Sequence, residues 1–287
     1  MPAFETPQPI AITVDLFLGY VEVVASDRTD TVVEVRPSDA AKKDDVRAAQ
    51  ETEVDFAAGN LTVKTPRKWR MYAPPAAWRN PSVDVTIEVP TGSRLHGTAH
   101  VGRFLVTGEL GRCELRTSIG DLQLEKAGPL ELQTYGGNIT VEQAVSRANI
   151  TAGTGTVHVR EIDGSAVVKN ANGDSVIREV AGDLRVNAAN GNITVERPHG
   201  SVTAKTANGN IRIGDASRGT LQLETSSGEL EVGIHPGTAA YLDVNAKYGT
   251  LRNLMEAADD PAQSEETVHV YARNAYGNII IRHATSV

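Results

Sequence analysis

The sequence contains a single cysteine, Cys113, and this scarcity excludes two classes of protein. One cysteine cannot form an internal disulfide, so a small disulfide-stabilised scaffold is ruled out. A zinc site built from several thiolates is ruled out for the same reason. Because Cys113 falls at an inward position of the repeat described below, we expect a buried, inert thiol rather than a nucleophile.

Long apolar runs are also missing. No segment approaches the ~18–20 apolar residues that a membrane-spanning helix needs, and the first residues carry no basic stretch of the kind that opens a signal peptide. We therefore expect no integral membrane segment and a cytoplasmic location. Acidic residues outnumber basic ones by 36 to 28, which gives a net charge of −8. This diffuse acidic balance offers no general surface for nucleic acid.

Glycine, in contrast, recurs at a fixed interval. A tetrapeptide Ala-Asn-Gly-Asp/Asn begins at Ala171, Ala189 and Ala207, in steps of 18 residues. In the glycine series to which it belongs, the second and fourth positions after the glycine are nearly always apolar, and the first is always polar. Alternation with a period of two residues is typical of a strand that is buried on one face.

Two architectures can use this repeat. In an antiparallel meander each Asn-Gly would be a hairpin turn, whereas in a β-solenoid residues 18 apart stack directly, ~4.8 Å from each other. Only the solenoid explains the same tripeptide at every second turn, so we predict an all-β, parallel β-helix-like solenoid with coils of about 18 residues. Its structural ladder consists of three asparagines and the glycines that follow them: Asn172, Asn190, Asn208, Gly173, Gly191 and Gly209.

The repeat divides the chain into four regions. Residues 1–100 lack it and are expected to form an N-terminal β cap that leads into the first coil. Residues 101–252 form the regular coils, 253–267 an acidic excursion loop, and 268–287 the strands of the terminal coil. What covers this last coil is left open, and an open end would favour self-association. Within the cap we expect one helix and five strands, at Asp39–Thr52 and at Ile10–Leu16, Tyr20–Ala25, Thr31–Arg36, Leu61–Lys64 and Val83–Val89.

Three motifs together resemble a known family. The segment from Ile12 to Val23 is similar to its opening strands, and Val85–Gly92 is similar to its valine-rich strand with a Pro-x-Gly step. The repeated Gly-[Asp/Asn]-[Ile/Leu]-x-[Val/Leu] units complete the pattern. The chain thus resembles the bacterial β-strand-repeat family labelled putative adhesin, whose function is unknown. The resemblance implies a solenoid fold over nearly the whole chain and supplies no catalytic residues.

One segment combines aromatic and basic side chains and contains both tryptophans of the chain. It could fold back as a lid over the first coil, or it could be a recognition surface, since aromatic and basic groups are enriched at interfaces. Its candidate partner-binding residues are Arg67, Lys68, Trp69, Arg70, Tyr72, Trp78 and Arg79. We refer to Arg67–Arg79 as the aromatic-basic loop.

Candidates for catalysis and metal binding are few. Glu125 and Glu142 could lie on neighbouring coils as an acid pair of the kind that glycoside hydrolases use, although hydrated surface glutamates fit them better. His96 and His100 could share one face of a strand and bind a metal, but no carboxylate or cysteine accompanies them in sequence. We therefore expect no catalytic residues, no metal and no cofactor.

These observations favour a non-catalytic binding or scaffold protein. Its solenoid faces and the aromatic-basic loop would engage a protein partner, with carbohydrate as another candidate ligand. Two alternatives remain: a self-assembling structural scaffold and a carbohydrate-active enzyme of the β-helix type.

Overall fold

The computed structural model describes residues 2–66, 81–255 and 266–284. These residues form 25 strands and one helix, so the all-β prediction is confirmed. They divide into two compact units, Met1–Glu142 and Gln143–Val287. The boundary expected at residue 100 does not coincide with a break, because a single strand runs through Arg94–Leu110.

The first unit contains the helix and the strands up to residue 142. Its elements are β1 (Ala3–Glu5), β2 (Ala11–Ser26), β3 (Asp30–Pro37), α1 (Lys43–Glu51), β4 (Glu53–Ala57), β5 (Asn60–Lys64), β6 (Val83–Pro90), β7 (Arg94–Leu110), β8 (Cys113–Ile119), β9 (Leu122–Ala127), β10 (Leu130–Gly136) and most of β11 (Ile139–Ala144).

The second unit consists of strands. They are β12 (Ala148–Thr154), β13 (Val157–Ile162), β14 (Ala166–Asn172), β15 (Ser175–Val180), β16 (Leu184–Asn190), β17 (Ile193–Pro198), β18 (Val202–Asn208), β19 (Ile211–Ala216), β20 (Gly219–Ser227), β21 (Leu230–Ile234), β22 (Thr238–Tyr248), β23 (Leu251–Asn253), β24 (Glu266–Tyr276) and β25 (Ile279–His283).

Residues 18 apart lie side by side in the second unit. Strand β14 pairs in parallel with β16, and β16 with β18, so Asn172 lies beside Asn190 and Asn190 beside Asn208. The strands that follow each turn stack in the same way, from β13 through β15 and β17 to β19. Neighbouring strands run in one direction, so the solenoid prediction is confirmed and the meander is wrong.

The turn glycines are required by a close approach of successive coils. Gly191 and Gly209 have φ angles of 140° and 152°, which side chains rarely adopt. A Cβ atom on Gly209 would lie 2.0 Å from the carbonyl oxygen of Gly191. No other residue fits this column without moving the backbone.

Threonine or asparagine occupies the third position before several turn glycines, and there its side chain bonds to the neighbouring coil. The Thr225 hydroxyl donates a hydrogen bond to the carbonyl oxygen of Gly209 at 2.9 Å, and Thr206 does the same to Gly191 at 3.3 Å. On a later coil the Asn274 amide donates to the Gly228 carbonyl at 3.2 Å. These bonds satisfy carbonyl groups that the turn leaves outside the strand ladders.

The first unit begins its coils earlier than the sequence predicts. Strand β2 is a whole coil whose two halves pair in parallel with β5 and β6 on one side, and with β7 on the other. The outermost coil is therefore β5 with β6, and it is covered by antiparallel strands: β4 lies on β5, β3 lies on β6, and β1 lies on β3. These antiparallel strands and α1 form the N-terminal cap.

The last coil in the sequence is not the outermost coil of the second unit, which corrects the expectation for residues 268–287. Strands β24 and β25 pair in parallel with β20 and β21 on one side. On the other side they pair with β22 and β23, which come earlier in the chain. The final coil is thus inserted between two coils that precede it.

Inward side chains of the coils form the core of each unit. Most of these apolar residues, such as Val195 and Ile211, are fully buried. The helix α1 has nine residues, and no helix in the described ranges has the length and hydropathy to cross a membrane.

Candidate interaction surface

Exposed aromatic and aliphatic side chains concentrate on the last two coils of the second unit. Nine large hydrophobic residues of the described part are exposed, and six of them lie on or next to β22, β23 and β24. Four of the seven tyrosines of the chain are among them. We call this set the terminal aromatic surface: Tyr241, Tyr248, Leu251, Leu254, Tyr271 and Tyr276.

The parallel register stacks these rings in pairs. Tyr248 lies beside Tyr276, with ring centroids 5.0 Å apart and planes 16° from parallel. Tyr241 stacks on His269 with the same separation. The ammonium group of Lys247 lies 5.3 Å from the centre of the Tyr248 ring. Stacking fixes the orientation of the rings and leaves their outer faces in solvent, so little conformational entropy would be lost on binding.

The aliphatic part of this surface is the uncovered end of the core. Leu230, Ile279 and Leu251 lie in one inward column, on three successive coils. The first two are fully buried, whereas Leu251 is 48% exposed. The inward column that contains Val270 and Leu242 ends in the same way. Val270 is fully buried, whereas Leu242 on the outermost coil is only half-buried.

Charges flank the rings on the outward face of β22. The Arg273 guanidinium binds the Asp243 carboxylate at 2.6 Å and also donates to the Asp243 carbonyl oxygen at 2.5 Å. Both side chains are about half exposed to solvent, so the pair contributes little to stability. The rings of β22 and β24 are therefore accompanied by the charged groups of Asp243, Arg273 and Lys247.

The asparagine ladder has a different composition from this surface. The Asn190 amide donates to the Asn172 side-chain oxygen at 2.8 Å, and Asn208 donates to Asn190 at 2.9 Å. The same column continues through Ser227 to Tyr276 and Tyr248. Along the interior coils the amides satisfy each other, which is a structural role, and at the outermost coils the column changes to aromatic rings.

A second column of side-chain oxygens lines a shallow groove of about 280 Å³. The Asp174 carboxylate accepts a hydrogen bond from the backbone N–H of Asn192 at 2.8 Å. Asn192 accepts in the same way from Asn210, and Asn210 from Glu229. These oxygens are thus engaged by the backbone of the next coil and hold the turns together.

The candidates for chemistry lie in separate surroundings. The Cys113 thiol is fully buried, and this burial raises its pKa well above the usual range, so it is a poor nucleophile at neutral pH. His100 stacks on Phe17, whereas His96 lies 3.5 Å from the Glu114 carboxylate. Glu125 accepts a hydrogen bond from the Gly108 backbone N–H at 2.8 Å, and Glu142 is exposed. Among the described residues, no three metal-ligating side chains are grouped.

The aromatic-basic loop lies outside the described residues. Its interpretation as a lid or as a recognition surface stays a prediction. Residues 256–265 of the expected acidic excursion loop also lie outside them, while β23 extends to Asn253 and β24 begins at Glu266.

Comparison with protein families identifies the fold family. The family model described as Toastrack DUF4097 matches residues 11–282. The chain belongs to the Toastrack DUF4097 family. This match covers both units and confirms the family resemblance drawn from the repeats. A comparison with curated proteins gives no match.

Several solved structures align with nearly the full chain at low sequence identity. A putative lipid binding protein from Parabacteroides distasonis is 13% identical, with a TM-score of 0.44 and coverage of 99% of this chain and 96% of its own. A putative adhesin from Bacteroides fragilis is 10% identical, with a TM-score of 0.36 and coverage of 98% and 95%. A putative adhesin from Parabacteroides merdae is 11% identical, with a TM-score of 0.32 and coverage of 99% and 95%.

Sequence reasoning missed the terminal aromatic surface. A signal for it exists, because Tyr241, Tyr248, Tyr271 and Tyr276 crowd a short stretch of a chain that is only 5% aromatic. The repeat pattern drew attention to inward positions, and these tyrosines lie on outward faces and at turns.

Proposed function

We propose that this Toastrack protein is a non-catalytic binding or scaffold module, and that the terminal aromatic surface is where it engages a protein partner. The single observation that carries the proposal is the concentration of six exposed apolar side chains on two adjacent coils. Contiguous apolar patches of this kind mark interaction sites.

The residue types support a protein as the partner. Tyrosine and arginine are enriched among the residues that contribute most to protein–protein binding. Tyr241 and Tyr271 lie on the outward face of adjacent strands, with Arg273 beside them. A flat, rigid sheet that presents these groups is better suited to a complementary protein surface than to a small molecule, which needs a concave pocket.

The test removes rings without touching the core. A cross-linking pull-down from cells that natively express the protein identifies a candidate partner, which is then purified and titrated against the wild type. We expect the combined change Tyr241→Ser and Tyr271→Ser to raise the dissociation constant about tenfold or more, as truncation of central aromatic residues does.

The matched control is Tyr135→Ser, since Tyr135 is also an exposed ring and lies on β10 of the first unit. This variant should bind the partner like the wild type. Equal weakening by both changes, or no effect of either, would contradict the proposed location of the binding surface.

The aromatic-basic loop is proposed as a second contact region. Its test is the pair of changes Trp69→Ala and Trp78→Ala in the same titration. A loss of affinity that is separate from the effect at Tyr241 and Tyr271 supports a recognition surface. Unchanged affinity with a lower stability supports the lid. The cytoplasmic location also stays a prediction.

A further inference from the structure

The outermost coil of the second unit has an unpaired edge. Strand β22 has eleven residues and pairs in parallel with β24 on one side. On its other side no described strand pairs with it. An edge of this length presents unpaired backbone N–H and C=O groups, which form a template for another strand.

The side chains along this edge are apolar on the inward face. Leu242, Val244 and Ala246 are half-buried and continue the core columns of the coils below. The equivalent residues Val270 and Ala272 of the inserted coil are fully buried. One more strand on this edge would complete the burial of the outermost coil, as each added coil does in a solenoid.

The charges on the outward face of β22 distinguish between the registers in which two copies of this strand could pair. Two copies of β22 that pair antiparallel around a two-fold axis keep inward side chains on one face. A pairing centred on Asp243, or on Lys247, sets like charges opposite each other. Centring on Val244 or Ala246 sets each charge against an uncharged residue. Only the pairing centred on Asn245 sets Asp243 opposite Lys247 of the second copy, twice per dimer.

We propose that the occupant of this edge is a second copy of the chain, bound through antiparallel β22 strands centred on Asn245. The proposal rests on the proposed function as an interaction module and names one partner for the same end of the unit. It uses the strand edge, whereas a different protein would bind the outward rings.

Solution mass as a function of concentration is the first measurement. Sedimentation equilibrium of the whole chain should show a reversible monomer–dimer equilibrium. A monomer at all concentrations would overturn the proposal and would leave the edge to a different protein, while the pull-down on Tyr241 and Tyr271 would still test the proposed function.

The charge pattern is tested by Lys247→Asp. Lys247 is exposed, so the fold should be retained, and the dimer now sets Asp against Asp243 of the second copy. We expect the dimer dissociation constant to rise about tenfold or more, because opposite-charge pairs directly across an antiparallel ladder become like-charge pairs. The matched control is Lys169→Asp, at an exposed lysine on β14 in an interior coil, which should leave the equilibrium unchanged.

The register is tested by a cross-link that does not depend on charge. The change Asn245→Cys places a thiol at the two-fold axis, where the paired Cα atoms would be about 4.5–5.5 Å apart and within disulfide range. Oxidation should give a covalent dimer at micromolar protein. The control Asn149→Cys lies at an exposed position of β12 and should stay monomeric. A reversible dimer that neither Lys247→Asp nor Asn245→Cys affects would place the interface elsewhere and overturn the proposal.

Discussion

The outermost coils of the two units differ in what covers them. In the first unit β5 and β6 form the outermost coil, and antiparallel strands β4 and β3 pair with both of its strands. In the second unit β22 and β23 form it, and neither has a described strand on its outer edge. Neither outermost coil follows the order of the chain. Strand β2 lies between β5 with β6 and the rest of the first unit. Strands β24 and β25 lie between β22 with β23 and the rest of the second unit. One extra layer of strands therefore decides whether the same inward pattern is buried in a core or left exposed to solvent.

The edge strands of the two units, β4 in the first and β22 in the second, also differ in length and composition. The cap strand β4 has only five residues and carries Glu53 and Asp55, and short charged strands resist edge-to-edge pairing. Strand β22 is more than twice as long and alternates apolar and polar residues. The first unit thus ends in a protected edge and the second in an edge suited to association.

The largest expected effect compares equivalent leucines on the two outermost coils. Leu61 on β5 is fully buried beneath β4, whereas Leu251 on β23 is 48% exposed. Leu61→Ala should lower the free energy of unfolding by about 2–5 kcal/mol, because it leaves a cavity. Leu251→Ala should cost about 1 kcal/mol or less, because it removes only part of a buried side chain. Urea denaturation at low protein concentration measures both.

Equal losses of unfolding free energy from the two leucine changes would mean that the coil of β22 and β23 is covered in solution. A loss at Leu251 that appears only at high protein concentration would show that a second copy provides this cover. Either outcome would change the comparison between the two coils.

A smaller effect is expected from loosening the N-terminal cap at Asp45. This buried carboxylate of α1 accepts hydrogen bonds from the backbone N–H groups of Asp39, at 3.2 Å, and Ser82, at 3.0 Å. Asp45→Ala leaves both donors unpaired, and we expect a loss of about 1–3 kcal/mol. Hydrogen exchange should quicken in β6, which begins just after Ser82. The exposed neighbour Asp44→Ala is the control, and an equal effect there would argue against this anchoring role.

Much of the interior of the fold could be predicted from sequence, because stacked coils repeat the same physical constraints. Asn172, Asn190 and Asn208 recur at the spacing that places them side by side, and the side-chain hydrogen bonds between them follow from that register. The helix was also predicted, although it occupies Lys43–Glu51 rather than the whole of Asp39–Thr52. Local periodicity fixes these features without knowledge of distant contacts.

The order of the coils at the ends could not be predicted, because Gly249 and Gly277 open segments with the same motif and either could stack on Gly228. A weak signal is present at Asn253, the one polar residue in its inward series, which lies on the outermost coil. A polar side chain there costs little since solvent reaches it. The cap strands β1 and β4 were missed for a related reason: they are short, and the pairing that creates them is with distant residues.

The smallest expected effect on stability comes from an ion-paired carboxylate on the interior coils, which have a neighbouring coil on each side and can be compared with both outermost coils. The Glu179 carboxylate hydrogen-bonds His199 at 2.9 Å and Arg197 at 2.8 Å, on the next coil, and these contacts hold its pKa below the usual range.

A carboxyl group whose pKa is lowered by folding stabilises the fold above its unfolded pKa, near 4.3, and loses this effect as the pH falls through the folded value. Glu179→Gln should therefore cost less than about 1 kcal/mol at pH 7, since the group is partly exposed, and less still at about pH 3, where the carboxyl group is more fully protonated. Urea denaturation at both pH values measures the difference. In a His199→Asn background the penalty at pH 7 should shrink, because the leading contact is already lost. A penalty that is the same at both pH values would instead assign the effect to packing rather than to the charge of Glu179.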